Sequence, residues 1–163
     1  MKGTAELESE IFTQILALKD DVVGFVHYAL PWGRAGTPFE PFSGPRKWQA
    51  DELKRIGDHT QEQVFRLSAG LPLKIYRSAK SSGRGPGKSA LLGMVALWHA
   101  STRIGAPTIV AANTENQLRT KTFPEFATWF GASINSHWWV LESLKIGPAP
   151  WLIELVKRLP EEG

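Results

Sequence analysis

A glycine-rich octapeptide near the middle of the chain constrains the fold more than any other feature. Residues 82–89 read SGRGPGKS, and a strongly apolar segment follows from Ala90 to Trp98. Closely spaced glycines let a backbone turn so tightly that its N–H groups converge on one point. An apolar segment of this length favours a buried helix. The sequence therefore predicts a tight loop that leads into a buried helix over residues 89–101.

The octapeptide differs at one position from the phosphate-binding pattern G-x-x-x-x-G-K-[ST], because Ser82 replaces the first glycine. In that pattern the lysine contacts the outer phosphates and the hydroxyl ligates Mg²⁺. These roles fall here to Lys88 and Ser89, so the sequence predicts a site for ATP and Mg²⁺. The alternative is a glycine-rich surface turn beside basic residues. The loop residues that we predict to bind the cofactor are Ser82, Gly83, Arg84, Gly85, Pro86, Gly87, Lys88 and Ser89.

Strand-like and helix-like patterns alternate around this loop. A parallel sheet with flanking helices, the α/β fold of RecA-like P-loop nucleoside triphosphatases, is the arrangement that such an order favours. Two strands are too few for a complete sheet of this class, so we expect the fold to be incomplete. Short strands are predicted at residues 73–76 and 108–112, and helices at 5–18, 22–30, 46–67 and from the capping box at Thr114 to a glycine cap at Gly131.

Composition divides the chain into three segments. Residues 1–45 are predicted to form a helical subdomain with a Gly- and Pro-rich linker, and residues 46–135 the first part of the P-loop domain. Residues 136–163 form a divergent, Trp-rich tail. Its last helix is predicted to present Trp151, Leu155 and Leu159 on one face, to cover apolar surface or, alternatively, to dock a partner.

Composition also excludes several classes of protein. The absence of cysteine rules out a disulfide framework and fits a reducing compartment. The acidic N-terminus does not resemble a signal peptide, and no apolar run has the length of a membrane span. We therefore expect a soluble, cytoplasmic protein.

Positive charge is concentrated around the loop. Residues 64–124 contain nine basic residues and a single acid, Glu115. Such a segment suits the phosphates of a nucleotide or of a nucleic-acid backbone, and a solvated basic face is the alternative.

Four stretches between about Asp21 and Phe130 together resemble the large terminase subunit of tailed bacteriophages and prophages. The stretches are GFV at 24–26 with PWG at 31–33, GPRKWQ at 44–49, the octapeptide, and ANTENQLRTKT at 112–122. Members of this family are motors that couple ATP hydrolysis to translocation of double-stranded DNA into the procapsid. The resemblance implies a bacterial cytoplasm as the location, and a small terminase subunit, a portal protein and further copies of the chain as partners.

The resemblance also implies residue roles. Gln49 matches a glutamine that reads the adenine edge, and a plain structural glutamine is the alternative. Arg84 matches an arginine that senses or stabilises the γ-phosphate, so it joins Lys88 as a candidate catalytic residue, and a plain solvated loop charge is the alternative. The candidates for contact with the DNA backbone are Asn113, Thr114, Gln117, Arg119 and Lys121.

The chain departs from the family in its acidic residues. No aspartate follows Asp58, so the acidic motif that holds Mg²⁺, the coupling motif and the nuclease residues are all missing. We therefore expect an ATP-binding portion that is inactive alone, from a frameshift, an early stop or a deliberately short form. One alternative is a non-catalytic regulator or decoy that binds DNA or a terminase. Another is a small phosphotransferase that takes its acid from Glu125, Glu154 or the Asp20–Asp21 pair.

Overall fold

The chain folds mainly into helices in a computed structural model, which describes residues 4–81, 83, 85 and 87–158. The elements in chain order are α1 (Thr4–Ala17), α2 (Val22–Ala29), α3 (Lys47–Ser68), α4 (Lys88–Thr102), α5 (Glu115–Gln117), a π-helical turn (Leu118–Thr122), α6 (Phe123–Ala132), a 3₁₀ turn (Ser136–Trp138), β1 (Trp139–Glu142), β2 (Lys145–Pro148) and α7 (Pro150–Arg158).

The predicted parallel sheet, and with it the predicted P-loop nucleoside triphosphatase fold, is wrong. Over the described residues the only strands are β1 and β2, which form an antiparallel hairpin with Trp139 opposite Pro148. This hairpin lies in the segment that the sequence marks as a divergent tail. The segments at 73–76 and 108–112, predicted as strands, have no regular secondary structure.

The missing strands have a physical cause. A strand is stable only when a neighbour completes its backbone ladder and covers one face, and neither segment has such a neighbour. The side chain of Ile75 is 79% exposed and that of Ile109 is 91% exposed. The backbone N–H of Lys74 donates instead to Gln63 Oε1 on α3, at 2.6 Å. The first segment therefore runs along a helix rather than beside another strand.

The predicted helices at 5–18, 22–30, 46–67 and 89–101 are confirmed, with small shifts at their ends. Ile11 and Ile15, one turn apart on α1, are both buried. Asp21 caps α2 by accepting a hydrogen bond from the Gly24 N–H at 2.9 Å. These helices form where the apolar spacing and a capping residue agree.

Helix α4 is the centre of the core. Its apolar side chains Met94 and Leu97 are fully buried, as its composition predicts. Gly93 lets α6 approach closely, because a Cβ built there would lie 2.4 Å from Cδ1 of Trp129. Trp129 in turn packs edge-on against Phe39, with ring centroids 5.0 Å apart. The helix that begins at the octapeptide is thus held rigidly by its neighbours.

The segment after α4 follows its predicted caps only in part. Thr114 accepts a hydrogen bond from the Gln117 N–H at 3.1 Å, which confirms the start of a helix there. Pro124 lies at the beginning of α6, directly after the π-helical turn, where the absence of its N–H is tolerated. The predicted cap at Gly131 is wrong, because α6 continues to Ala132.

The buried face of the last helix also differs from the prediction. Leu152 is fully buried, whereas Trp151 is 41% exposed and Leu155 40% exposed. Trp151 stacks on His137 instead, with ring centroids 6.0 Å apart and planes at 8°. Leu159, the third predicted member of that face, lies outside the described residues.

One hydrophobic core contains side chains from all three of the predicted segments, from Ile11 to Leu152. The boundaries proposed at residues 45 and 135 stay a prediction. No helix in the described part of the chain is long and apolar enough to cross a membrane.

Candidate phosphate-binding loop

The glycine-rich loop ends in a left-handed turn that leads directly into α4. Gly85 has a φ of +87° and Gly87 a φ of +88°, a conformation that favours glycine. Gly87 is the N-cap residue of α4, and no described side chain caps this end of the helix. The first-turn N–H groups have no carbonyl partner within the helix, so they can bind an anion. Ser82, Arg84 and Pro86, also predicted to bind the cofactor, lie outside the described residues.

Lys88 and Ser89 occupy the first turn of α4. The Lys88 ammonium lies 3.4 Å from the carbonyl oxygen of Gly83, so this side chain folds back over the loop. Ser89 is exposed. The structure thus brings Gly83, Gly87 and Lys88 together at the mouth of the loop, with a hydroxyl beside them.

Gln49 contacts this loop from α3. It is only 4% exposed, and both ends of its amide are engaged by backbone groups. Its Oε1 accepts a hydrogen bond from the Arg46 N–H at 2.8 Å, which is one half of a capping box. Its Nε2 donates to the Gly87 carbonyl oxygen, also at 2.8 Å. Gln49 therefore supports the turn into α4, and its reading of an adenine edge stays a prediction.

Arg46, at the N-cap of α3, reaches the same loop. Its Nη1 donates to the carbonyl oxygen of Gly85 at 3.2 Å. Two side chains from the start of α3 thus hold two successive described glycines of the loop.

Glu52, one helical turn beyond Gln49, is a buried carboxylate that was not among the predicted site residues. Its residue exposure is 2%. It accepts hydrogen bonds from Tyr76 Oη at 2.8 Å and from Ser78 Oγ at 2.5 Å. It also forms ion pairs with Lys80 at 2.6 Å and with Arg55 at 3.3 Å. Glu52 therefore holds the chain that leads into the loop.

The electrostatics of Glu52 follow from these partners. Burial by itself would raise its pKa, but the hydrogen bonds from Lys80, Ser78 and Tyr76 outweigh burial and lower the pKa to about 2. The pKa of Tyr76 is raised, first by its own burial and then by its hydrogen bond to this carboxylate. Glu52 is thus a fixed negative charge at neutral pH.

A signal for Glu52 was present in the sequence. Gln49, Glu52 and Ile56 follow helical spacing on the side of α3 that also carries the buried Leu53. Tyr76, Ser78 and Lys80 alternate along the chain, so an extended segment points them in one direction. A carboxylate in an apolar stripe, opposite three alternating donors, indicates a buried polar contact.

The predicted DNA-contact residues lie in an exposed stretch that begins just before α5 and ends in the π-helical turn. Asn113, Thr114, Gln117, Arg119 and Lys121 are all exposed. Arg119 pairs with Glu115 at 2.7 Å and donates to Ser143 Oγ at 3.1 Å. No hydrogen bond or ion pair between described residues joins this group to the loop.

A mostly apolar cavity of about 370 Å³ lies between α4, α6, the 106–110 segment and the hairpin. Phe123, Phe126 and Ile146 are among its lining residues, and none of the described loop residues lines it. It is therefore distinct from the candidate phosphate site.

The residues present suit a Mg²⁺ ion only as part of a metal–nucleotide complex. Within the described residues, no group of three or more His, Asp or Glu side chains could hold a metal ion. Mg²⁺ in nucleotide sites is held largely by phosphates and water, with one or two protein oxygens. The Ser89 hydroxyl could supply one such oxygen.

Glu125, Glu154, Asp20 and Asp21 were alternative sources of a catalytic acid, and each has another contact. Glu125 accepts from Trp129 Nε1 and Glu154 pairs with Lys157, both at 3.1 Å. Asp21 caps α2, and Asp20 lies 3.8 Å from Arg103.

Comparison with protein-family models, with curated proteins and with solved structures gives no match for this chain.

Proposed function

We propose that this chain binds ATP with its Mg²⁺ ion at residues 82–89 and the first turn of α4. The left-handed turn at Gly87 is the observation that carries the proposal, because it leads straight into a helix N-terminus without a described side-chain cap. The amide groups of a first helical turn point along the helix axis, and they and the helix dipole both favour the negative charge of a polyphosphate at such a position.

Each loop residue has a distinct part in the proposed site. The amide groups of the loop and of the first helical turn bind phosphate oxygens, and Lys88 moves from the Gly83 carbonyl to the outer phosphates. Ser89 holds the Mg²⁺, which neutralises phosphate charge when it is bound. Arg84 is proposed to contact the γ-phosphate. Gln49 supports the turn at Gly87 through its side-chain amide. Contact with the adenine requires that this amide first leave its present backbone partners.

The proposal for the wider role comes from the resemblance to terminase large subunits. The chain is then a nucleotide-binding portion of a DNA-packaging motor, with double-stranded DNA, a small terminase subunit, a portal protein and further copies as partners. We expect little or no ATP hydrolysis by the chain alone. No aspartate follows Asp58, and the loop sequence contains no acidic residue that could activate a water molecule.

Titration with a fluorescent ATP analogue and Mg²⁺ tests the nucleotide site. Lys88→Ala removes the ammonium but keeps a good helix-forming residue, so we expect at least about tenfold weaker binding. Lys54→Ala is the matched control, since Lys54 is an exposed lysine on α3 that pairs with Asp58. If the curves of the wild type and Lys88→Ala coincide, the loop is not a nucleotide site.

A second candidate function is a non-catalytic module that binds DNA or a terminase as a regulator or decoy. The exposure of Arg119 and Lys121, in a stretch with one acid among nine basic residues, favours it. Thr, Asn and Gln side chains beside these bases suit contacts with phosphates that carry no sequence information.

A gel-shift series on random-sequence duplex at several salt concentrations tests this second function. Each lost phosphate contact lowers the slope of log affinity against log salt by about 0.9. We expect a shallower slope for the double variant Arg119→Ala/Lys121→Ala and an unchanged slope for Lys54→Ala. Binding that does not depend on ionic strength would count against the second function.

A further inference from the structure

One face of α3 holds both the segment before the phosphate loop and the described glycines near the end of the loop. Arg46, Gln49 and Glu52 are spaced by three residues, so their side chains lie along one side of the helix. Glu52 holds the chain before the loop, at Tyr76, Ser78 and Lys80. The other two side chains, Arg46 and Gln49, hold the loop itself.

The contacts on the far side of the loop complete this arrangement. Gln49 donates to the Gly87 carbonyl oxygen at 2.8 Å, and Arg46 donates to the Gly85 carbonyl oxygen at 3.2 Å. A Cβ at Gly87 would lie only 2.8 Å from Gln49 Nε2, so the helix and the turn are in close contact. The loop therefore spans two anchor points on the same rigid element.

We propose that Glu52 is a positioning residue for the nucleotide site, which sets the path of the loop through Tyr76, Ser78 and Lys80 without touching the ligand. This inference rests on the proposed function for its effect on affinity, although its effect on the loop can be measured without nucleotide.

The chemistry of Glu52 explains why it can do this. A carboxylate that is 2% exposed must keep its hydrogen-bond donors, because an unpartnered buried charge is strongly unfavourable. Charge-assisted hydrogen bonds also fix direction and distance more tightly than apolar contacts do. The segment 76–80 is therefore restrained, and less conformational entropy is lost when a ligand binds at the loop that follows.

The contrasting residue Glu62 provides a matched control. It lies on the same helix and also pairs with the chain before the loop, through Lys74 at 2.9 Å. Its side chain is 43% exposed, against 3% for Glu52. Glu62→Gln thus removes a similar ion pair, but one that solvent already weakens.

Hydrogen exchange of the full chain without nucleotide, followed by mass spectrometry, is the first measurement. For Glu52→Gln we expect exchange at least about tenfold faster in peptides that cover residues 74–87, because the restraint on this segment is lost. Peptides from α6 should exchange as in the wild type, and Glu62→Gln should leave both regions unchanged. Exchange at the wild-type rate in residues 74–87 of Glu52→Gln would overturn the inference.

Titration with the ATP analogue is the second measurement. We expect about tenfold weaker binding for Glu52→Gln and a smaller loss for Tyr76→Phe, which removes one donor and keeps the ring. The two changes together should weaken binding by less than the product of the single effects, because both act through one contact. If the wild type binds the analogue and Glu52→Gln binds it with the same affinity, the inference is also overturned.

The two measurements separate the possible failures. If the wild type binds no analogue, the proposed function is wrong, and the exchange experiment alone decides whether Glu52 restrains the loop. If Glu52→Gln does not fold, Tyr76→Phe decides in its place, with faster exchange expected and wild-type exchange contradicting the inference.

Discussion

The first half of α3 (residues 47–57) and its second half (residues 58–68) hold the same stretch of chain in different ways. The first half uses Gln49 and Glu52, both buried, to fix the loop and the residues before it. The second half uses side chains that lie closer to solvent, such as Glu62, and leaves Phe65 and Leu67 64% and 70% exposed. Buried polar contacts specify one geometry because their loss is costly, whereas solvent competes with exposed contacts. The half that contacts the predicted phosphate site is the half with the buried contacts.

Replacement of Glu52 or Glu62 by alanine should give the largest difference between the two halves of α3. Glu52→Ala leaves Lys80 and two hydroxyl groups without their acceptor, so we expect a loss of about 3 kcal/mol in the free energy of unfolding. Glu62→Ala should change it little, because Glu62 and its partner Lys74 are both exposed to solvent. Urea denaturation at neutral pH measures both, and equal losses would contradict the distinction between the halves.

Acid should lower the free energy of unfolding by protonating Glu52 in the first half of α3. Its pKa in the folded protein is about 2, against an ordinary value of 4.5. The stabilisation is therefore complete above pH 4.5 and is lost as the pH falls toward 2, with a total on the order of 3 kcal/mol. Urea denaturation between pH 7 and pH 3 should show a steeper loss for the wild type than for Glu52→Gln. Parallel curves for the two proteins would show that Glu52 does not titrate this way.

Gly87→Ala should disturb the turn that the first half supports. The added Cβ is strained at a φ of +88° and lies 2.8 Å from Gln49 Nε2, so we expect a cost of about 1–3 kcal/mol and weaker ATP-analogue binding. Gly105→Ala is the control, because Gly105 has a φ of +92° and no atom within 4 Å of the built Cβ. Binding that falls equally in both variants would mean that strain anywhere in the chain, not contact with Gln49, controls the site.

The smallest effect is expected from the exposed half. Leu67→Ser changes a side chain that is 70% exposed, so the free energy of unfolding should change by less than about 0.5 kcal/mol. Thermal and urea denaturation both measure this value. A loss as large as that of Glu52→Ala would show that this half is buried in solution by a partner or a second copy.

The sequence predicts the helices well because their information is local. The apolar spacing of α1, the Asp21 cap of α2 and the apolar composition of α4 each lie within one short segment. The predictions of strands at residues 73–76 and 108–112 were wrong, because a strand depends on a neighbouring strand that its own residues do not specify. Leu73 and Ile75 have the alternation of a strand, yet no strand in the described part of the chain lies beside them.

The candidate site was predictable in its loop and not in its support. Gly87, Lys88 and Ser89 follow a motif whose spacing carries the chemistry. Glu52 and Arg46 have no such motif, because their roles depend on which segment packs against α3. The apolar stripe of α3 marks Glu52 as a buried carboxylate, but the partners of Glu52 and Arg46 follow only from the placement of Tyr76 and Gly85 beside that helix.

The amide chemical shifts of the loop test the central claim most directly. In a titration of the ¹⁵N-labelled full chain with ATP and Mg²⁺, we expect shifts at Gly83, Gly85, Gly87 and Lys88, and none at Gly105. Inorganic triphosphate should move the same signals, because the polyphosphate is the part that the loop binds. Unchanged loop signals, or shifts confined to the lining of the apolar cavity, would contradict the account.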